Sequence, residues 1–401
     1  MSIPRLRPLV FFLVLAAALP AGAGPGDALH VIGTLAYGHD DNLLRVPDGS
    51  PGYDNTRGDS WWTREAGLVF DKTWSRQHLS VVGKLSKTDF DHFSQLNYDG
   101  KDVQANWFWQ LGNRLDGKIG ATYQQVLAPY TDFASSERNL RTFRSRFAEA
   151  NWRFHPTWRL RAGVQRDRYA YELLSQRYND RTENTSELEL GYLARSDSTV
   201  GLVARRVKGR YPYPRPVGPF SVNDNFTQDE LKLHVLWKAS GATELDALVG
   251  HTRREQPSFG AGTTSGLAGK VKAGWQPRGK MRYSAAVWRD FAPLESTVVS
   301  YTLNKGASLG AQWDATAKIR VNLDAVAERR NYNARTGIAV AGGSAGLRDS
   351  IRTASLRATW APRPTLQVTA GAAHQARSGS VTLGTGSFTS NSVSLSASAQ
   401  F

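Results

Sequence analysis

Ser390-Asn-Ser-Val-Ser-Leu-Ser-Ala-Ser-Ala-Gln-Phe401 reads SNSVSLSASAQF. Val393, Leu395, Ala397, Ala399 and Phe401 fall on one parity, and Ser392, Ser394, Ser396, Ser398 and Gln400 on the other. A period of two is the signature of an extended strand with one apolar and one polar face. The same split recurs in Leu231, Leu233, Val235 and Trp237 against Lys232, His234, Leu236 and Lys238. It returns in Ile319, Val321, Leu323, Ala325 and Ala327 against Arg320, Asn322, Asp324, Val326 and Glu328.

About eighteen such segments follow one another, each long enough for the roughly 9 to 11 residues with which a tilted strand crosses a bilayer. They start near Ala28, Ser60, Gln77, Asp99, Arg114, Asn139, Thr157, Asn184, Asp197, Phe226, Ala242, Thr264, Gly279, Thr297, Ala317, Ser350, Thr365 and Asn391. Their links alternate between tight turns, such as Ser75-Arg76, Gly112-Asn113 and Pro277-Arg278, and long polar stretches, such as residues 39–59, 171–183, 209–225 and 332–349. An even number of strands with short turns on one side and long loops on the other predicts an all-β fold: a transmembrane, antiparallel, up-and-down barrel with short periplasmic turns and long extracellular loops. Trp74, Trp109, Trp152, Trp237, Trp275, Trp313 and Trp360, with Tyr192, precede tight turns on the apolar parity of their strands. Tryptophans at one height form a membrane-interface girdle, the indole body in lipid and its N–H among head groups. A soluble sandwich or propeller would fill its core with bulky residues, whereas here the apolar parity carries many Ala and Gly and the other face is charged. An open edge in hydrocarbon would strand backbone groups, so the first and last strands must pair. The alternating last strand ending in Phe401 also resembles the signal read by the bacterial barrel-insertion machinery.

Arg5 and Arg7, the apolar run Leu9–Leu19 and the small residues Ala21-Gly-Ala23 read as a secretory signal peptide over 1–23, leaving one barrel over 24–401. The exported chain has no cysteine, which excludes a disulfide framework and a thiolate metal site. Two of the 50 Lys and Arg belong to the leader, so +13 of the formal +15 remains. That surplus suits an anionic partner, and an exported address argues against nucleic acid.

On chemistry, His39-Asp40-Asp41 could activate water, but Asp and Asn at 40–42 also suit a turn that bonds its own backbone. No matching acid or nucleophile recurs beside it, and the remaining histidines have no ligand spacing. No enzyme activity, cofactor or metal site is expected. Parity instead drafts a lumen whose lining includes Arg159, Arg161, Lys232, Lys270, Lys272, Arg282, Arg320 and Arg357, with nearly as many acidic as basic positions overall. Phe108, Trp288, Ser355 and Thr359 on that face can stack on or bond sugar rings. Much of the positive surplus falls near strand ends. Arg144, Arg146, Arg166 and Arg168 continue the lipid-side parity, where they would meet lipopolysaccharide phosphates unless a bulge turns them inward. Strand one starts too early for an N-terminal plug, so any constriction falls to a folded-in loop, with 39–59 and the proline-rich 211–220 as candidates.

Strand one followed by YGHDDNLLR (Tyr37 to Arg45) resembles the exosortase-associated exopolysaccharide biosynthesis outer-membrane proteins (EpsL-like), within a wider group of β-barrel porins. Asp41, Asn42, Leu43 and Arg45 carry the likeness, while Leu44 stands where that group has an aromatic. The resemblance implies participation in exopolysaccharide export or biosynthesis and supplies no catalytic residues. The expected function is passive passage of a polysaccharide through a wide, unplugged, mixed-charge lumen in the bacterial outer membrane. A diffusion or uptake porin for small sugars or anions is the alternative. Expected partners are outer-membrane lipid and lipopolysaccharide, the polysaccharide, the insertion machinery and periplasmic polysaccharide-export components.

Overall fold

The computed structural model describes residues 28–401 apart from 218, 257–262, 278, 294–300, 333–347 and 380–385. The signal peptide expected over 1–23 and the lead-in at 24–26 lie outside the described residues, as does the strand start expected at Thr297.

In chain order the strands are β1 (Leu29–Asp40), β2 (Asp59–Trp74), β3 (Gln77–Phe90), β4 (Tyr98–Leu111), β5 (Leu115–Leu127), β6 (Leu140–His155), β7 (Trp158–Tyr171), β8 (Arg181–Leu193), β9 (Thr199–Arg210), β10 (Arg215–Val217), β11 (Phe220–Val222), β12 (Phe226–Ser240), β13 (Thr243–Glu255), β14 (Thr263–Trp275), β15 (Met281–Pro293), β16 (Tyr301–Trp313), β17 (Ile319–Tyr332), β18 (Arg348–Arg363), β19 (Leu366–Ser378) and β20 (Phe388–Gln400). β10 and β11 pair only with each other, forming a hairpin inside the 211–225 connection. The other strands form one 18-stranded antiparallel sheet in which sequence neighbours are spatial neighbours and β9 adjoins β12. The ring closes where β1 meets β20, from Ile32 opposite Gln400 to Asp40 opposite Ser392, and Val31 and Phe401 add two reciprocal 2.8 Å backbone bonds. The closed, up-and-down barrel read from the alternation is the fold observed.

Tight turns join the strands at one end. Ser75 and Gly112 take φ of 55° and 61° there, the left-handed conformation that keeps a short hairpin loop aligned with the strand twist. The long connections leave from the other end, called the mouth here. The strand starts expected from sequence differ from those observed mainly at this end: β8 begins at Arg181 and β20 at Phe388, three residues before the expected Asn184 and Asn391, because the ladder continues into polar sequence where alternation fades. Two short 3-10 segments, Ser94–Leu96 and Leu174–Asn179, occur in mouth connections.

The two faces separate cleanly. Leu68, Leu85, Val164, Leu188, Leu233, Leu267, Leu309 and Leu356 are exposed on the outer face. At its tight-turn edge Trp74, Trp152, Trp237, Trp275, Trp313 and Trp360 are exposed, with Tyr192, while Trp109 on the same parity is half-buried. Apolar surface of this extent is stable against hydrocarbon and unfavourable in water. Within this apolar belt the charges lie on the opposite face. It is the interior, since Arg330 of β17 there meets a residue of the β5–β6 connection half a circumference away.

Candidate functional site

On the inner face of β7, β8, β9 and β12 the register sets acid against base. Arg161 stands opposite Glu189, Glu187 opposite Arg205, and Arg205 opposite Glu230. Directly opposed unlike charges favour the pairing by about 0.2–1 kcal/mol each. Arg161 reaches Glu149 at 3.2 Å and Glu189 at 2.7 Å and also pairs with Glu187. Arg205 joins Glu187 to Glu230 at 3.2 Å, and Lys232 meets Glu230 at 2.7 Å. Glu189, 1 % exposed, also faces Arg159 at 3.7 Å and His234 Nδ1 at 2.9 Å. His234 Nε2 lies 3.5 Å from Asp246, which pairs with Lys272 at 3.3 Å. The result is a charged wall from β6 to β14. It borders a cavity of about 490 Å³ lined by Glu149, Arg161, Glu187, Arg205, Glu230 and Arg254 among others.

Half a circumference away, β18, β19, β20 and β1 present hydroxyls. Thr359 and Thr369 share a 3.3 Å bond, Thr34 donates to Ser398 at 3.1 Å, and Ser394 and Ser396 continue the row. The serine parity of SNSVSLSASAQF is this wall. The lumen therefore has a charge-paired side facing a side dominated by hydroxyls, in which Arg357 of β18 also stands.

The sequence-derived lining residues distribute unevenly between the two. Arg159, Arg161 and Lys232 lie in the charged wall, and Lys272 joins it through Asp246. Lys270 sits over the Trp288 ring at 5.4 Å. That indole covers Gly306, where any Cβ would lie 2.2 Å from it, and donates to Glu328 at 3.1 Å. Trp288 is thus braced against the wall. Arg282 and Arg320 converge on Asp314 at 4.0 and 2.7 Å near the tight turns; the Arg320 hydrogen bond holds the Asp314 carboxyl below its ordinary range. Arg357 stands apart, opposite Asn322 and Gly371. Phe108 stacks on His78 with centroids 5.7 Å apart.

At the mouth a folded-in connection crosses the opening, and it is not one of the two expected from sequence. The connection between β5 and β6, residues 128–139, runs across to the far side. Asp132 Oδ1 accepts from Arg330 Nη1 at 2.6 Å and lies 3.5 Å from Arg377 Nη1, and the Thr131 carbonyl accepts from Arg377 at 2.6 Å. Arg377 is anchored in turn by Asp349 at 2.6 Å, and Tyr332 donates to the same carboxylate at 2.6 Å. This strap is neither of the two segments anticipated from length and proline content, although both also fold in. The 41–58 connection packs Leu44 and Val46 against Phe90, Phe93, Leu96 and Tyr130 in an apolar cluster; burial, with Tyr53 and Tyr98 nearby, pushes the Tyr130 hydroxyl far above its ordinary pKa. In the 211–225 connection buried Arg215 pairs with Asp224 at 2.7 Å, donates to Asn179 at 3.0 Å and lies over Tyr178. The strap left little sequence signal: Pro129 and Asp132 look like any polar loop, and the partners on β17 and β19 are about 200 residues or more distant, as with the 198-residue separation of Asp132 from Arg330.

The His39-Asp40-Asp41 segment and the turn motif after it form a seam. Asp40 accepts from the Asn42 amide at 2.9 Å, Arg45 Nη1 at 2.9 Å and Ser390 Oγ at 2.7 Å. Asp41 accepts from the Asn391 amide and side chain at 2.7 Å each. Asn42, 1 % exposed, donates to the Val46 and Thr389 carbonyls and accepts from the Val46 amide, all at 3.0 Å. Arg45 takes φ 55°, donates to Gln375 and the Asn42 carbonyl, and lies over Phe388; Leu43 borders the apolar cluster. Both carboxylates are occupied in tying β1 to β20. The structure assigns this cluster to closing the ring.

No family model and no curated protein sequence matches the chain. Among solved structures, OccK2 (OpdF) of Pseudomonas aeruginosa in complex with glucuronate aligns with 13% identity and a TM-score of 0.50, covering 93% of this chain and 98% of that one. OccAB3 of Acinetobacter baumannii aligns with 11% identity and a TM-score of 0.50, covering 93% and 99%. Likeness at this identity concerns the fold, and the fold is that of an outer-membrane β-barrel.

Proposed function

We propose that the protein is an outer-membrane channel for diffusive uptake of small polar solutes, sugars and sugar acids being the class that fits its lumen. The observation that carries this reading is the strap, pinned by Asp132 to Arg330 and Arg377 across the mouth. A mouth so crossed suits small solutes. Inside, a sugar acid can set its carboxylate toward Arg159, Arg161 and Arg205 and its hydroxyls toward the Ser and Thr wall. That a protein of similar fold was solved with glucuronate supports the solute class. Passage of an exopolysaccharide, the reading the YGHDDNLLR resemblance implies, fits less well because a polymer would need the strap displaced throughout transit, and the motif residues are engaged in the seam.

The test is swelling of proteoliposomes in xylose, glucose, glucuronate, a trisaccharide and a hexasaccharide. Monosaccharides and glucuronate should enter far faster than in protein-free vesicles, with rates collapsing by the hexasaccharide. Vesicles no faster than the protein-free control would refute the reading. So would a deletion strain that loses secreted polymer while taking up monosaccharides normally, and that pattern would restore export.

A further inference from the structure

Outward residues change character at one level. On β6, β7, β9, β12, β16 and β17 the outward parity runs from an aromatic or aliphatic residue at the tight-turn end through small or aliphatic residues to a charge six to ten residues on: Arg146, Arg166, Arg206, Asp229, Lys305 and Arg329. At a rise near 3.4 Å per residue and a tilt near 40°, eight residues climb roughly 20 Å, close to the height of the apolar band of such barrels. These charges therefore form a collar at the mouth-side edge of the belt.

Part of the collar is internally compensated, and a row of single cations, Arg289, Lys305 and Arg329, crosses β15 to β17. Arg64 has Asp89 at 3.6 Å, Arg206 pairs with Asp229, and Arg253 with Glu255 at 2.6 Å. β6 and β7 are different. Arg144 stands directly opposite Arg168, and Arg146 opposite Arg166. The only register shift between these strands falls between Trp152 and His155, near the tight turn, so no bulge diverts the four inward. All four are exposed on the outer face, immediately above Ala148 opposite Val164. Among the described residues none of them has a carboxylate within 4.0 Å. Opposed side chains stand about 5 Å apart and i, i+2 neighbours about 7 Å, so four guanidiniums share a patch of roughly 5 by 7 Å at the backbone. Like charges directly opposite destabilise a strand pair. An external anion removes that cost.

We infer that this quadrilateral is a binding site for the phosphate of an outer-leaflet glycolipid, whose acyl chains lie against Ala148, Val164 and the belt below. Planar guanidiniums bind phosphate oxygens in bidentate fashion, and several around one phosphate share its charge. Arg144 is held ready by stacking over Tyr123 of β5, 5.3 Å from the ring centroid. Asn184 and Thr182 of β8, opposite Arg166 and Arg168, add uncharged hydrogen-bonding groups for the sugar portion. Continuity with the apolar belt selects a lipid over a free anion, since only a lipid satisfies both surfaces at once.

Native mass spectrometry of the full-length protein in detergent tests this with bis-phosphorylated lipid A, its fully dephosphorylated form, and inorganic phosphate as probes. Wild type should retain bis-phosphorylated lipid A at least tenfold more than the dephosphorylated form. The variant R144Q/R146Q/R166Q/R168Q should lose that preference, whereas R64Q/R206Q/R253Q, which removes collar cations that already pair with Asp89, Asp229 and Glu255, should keep it. Heat-modifiable gel migration confirms that each variant is folded. Should the quadruple variant fail to fold, R146Q/R166Q must weaken retention at least threefold. Equal retention of both lipids, undiminished binding by the Gln variants, or displacement of lipid A by inorganic phosphate at millimolar concentration would each overturn the assignment.

Discussion

Asp132→Ala should unfasten the strap. In the folded protein the Asp132 carboxylate forms a 2.6 Å charge-assisted bond with Arg330 and a 3.5 Å contact with Arg377, and its side chain is 20% exposed. Both arginines keep other partners after the substitution: Arg330 retains Glu328 at 3.1 Å, and Arg377 retains Asp349 at 2.6 Å and the Thr131 carbonyl at 2.6 Å. The loss is therefore that of one charge-assisted bond, not of a pair left unpartnered, or about 2 kcal/mol. At roughly 1.4 kcal/mol per decade this moves the equilibrium between pinned and released strap about 30-fold. A strap released about 1% of the time would then be released about a quarter of the time. Single-channel recording in planar bilayers should show a larger conductance state, rare in wild type and frequent in the variant, and trisaccharides should swell proteoliposomes faster. Asp132→Asn, which keeps a weaker hydrogen bond, should fall between. If conductance histograms and the size cut-off for sugars are the same in all three proteins, the strap does not govern passage.

Other outcomes follow from the same contacts. Glu189→Gln leaves Arg159, Arg161 and His234 facing one carboxylate fewer, so the zero-current potential in a tenfold KCl gradient should shift toward anion preference. Asn42→Ala removes three hydrogen bonds at a buried position and should cost about 3 kcal/mol, seen as a lower urea midpoint for the folded gel band. Phe401→Ala should reduce the yield of barrel inserted in cells while leaving that midpoint nearly unchanged, because the hydrogen bonds of Phe401 to Val31 are backbone bonds. Trp237→Ala combined with Trp313→Ala should weaken bilayer retention by about 1 kcal/mol per residue, measured as the midpoint of extraction from vesicles by urea.

The barrel was legible because its signal is local and repeated. SNSVSLSASAQF displays both faces of the wall without any knowledge of its neighbours, and the tryptophans before tight turns mark one edge of the belt. Parity also placed Arg159, Arg161 and Lys232 on one face, but parity says nothing of which strands are adjacent in height. The ladder they form depends on register. The strap was beyond reach for a stronger reason: Asp132 finds Arg330 and Arg377 only after the ring has closed, so its meaning lies in curvature that no window of sequence contains. The YGHDDNLLR segment was visible as a turn, yet its use in tying the ring appears only when Asn391 and Ser390 arrive beside Asp41 and Asp40.

That seam makes the ring order independent of where the polypeptide is cut. Because Val31 and Phe401 already exchange backbone bonds, a short tether from β20 to β1, with a new opening placed in one of the mouth connections, would preserve every strand partnership. Such a circular permutant would instead rearrange the sequence of synthesis, so that the Asp40–Arg45 clasp is made between consecutive strands at the start of assembly and a formerly local hairpin becomes the last joint to shut.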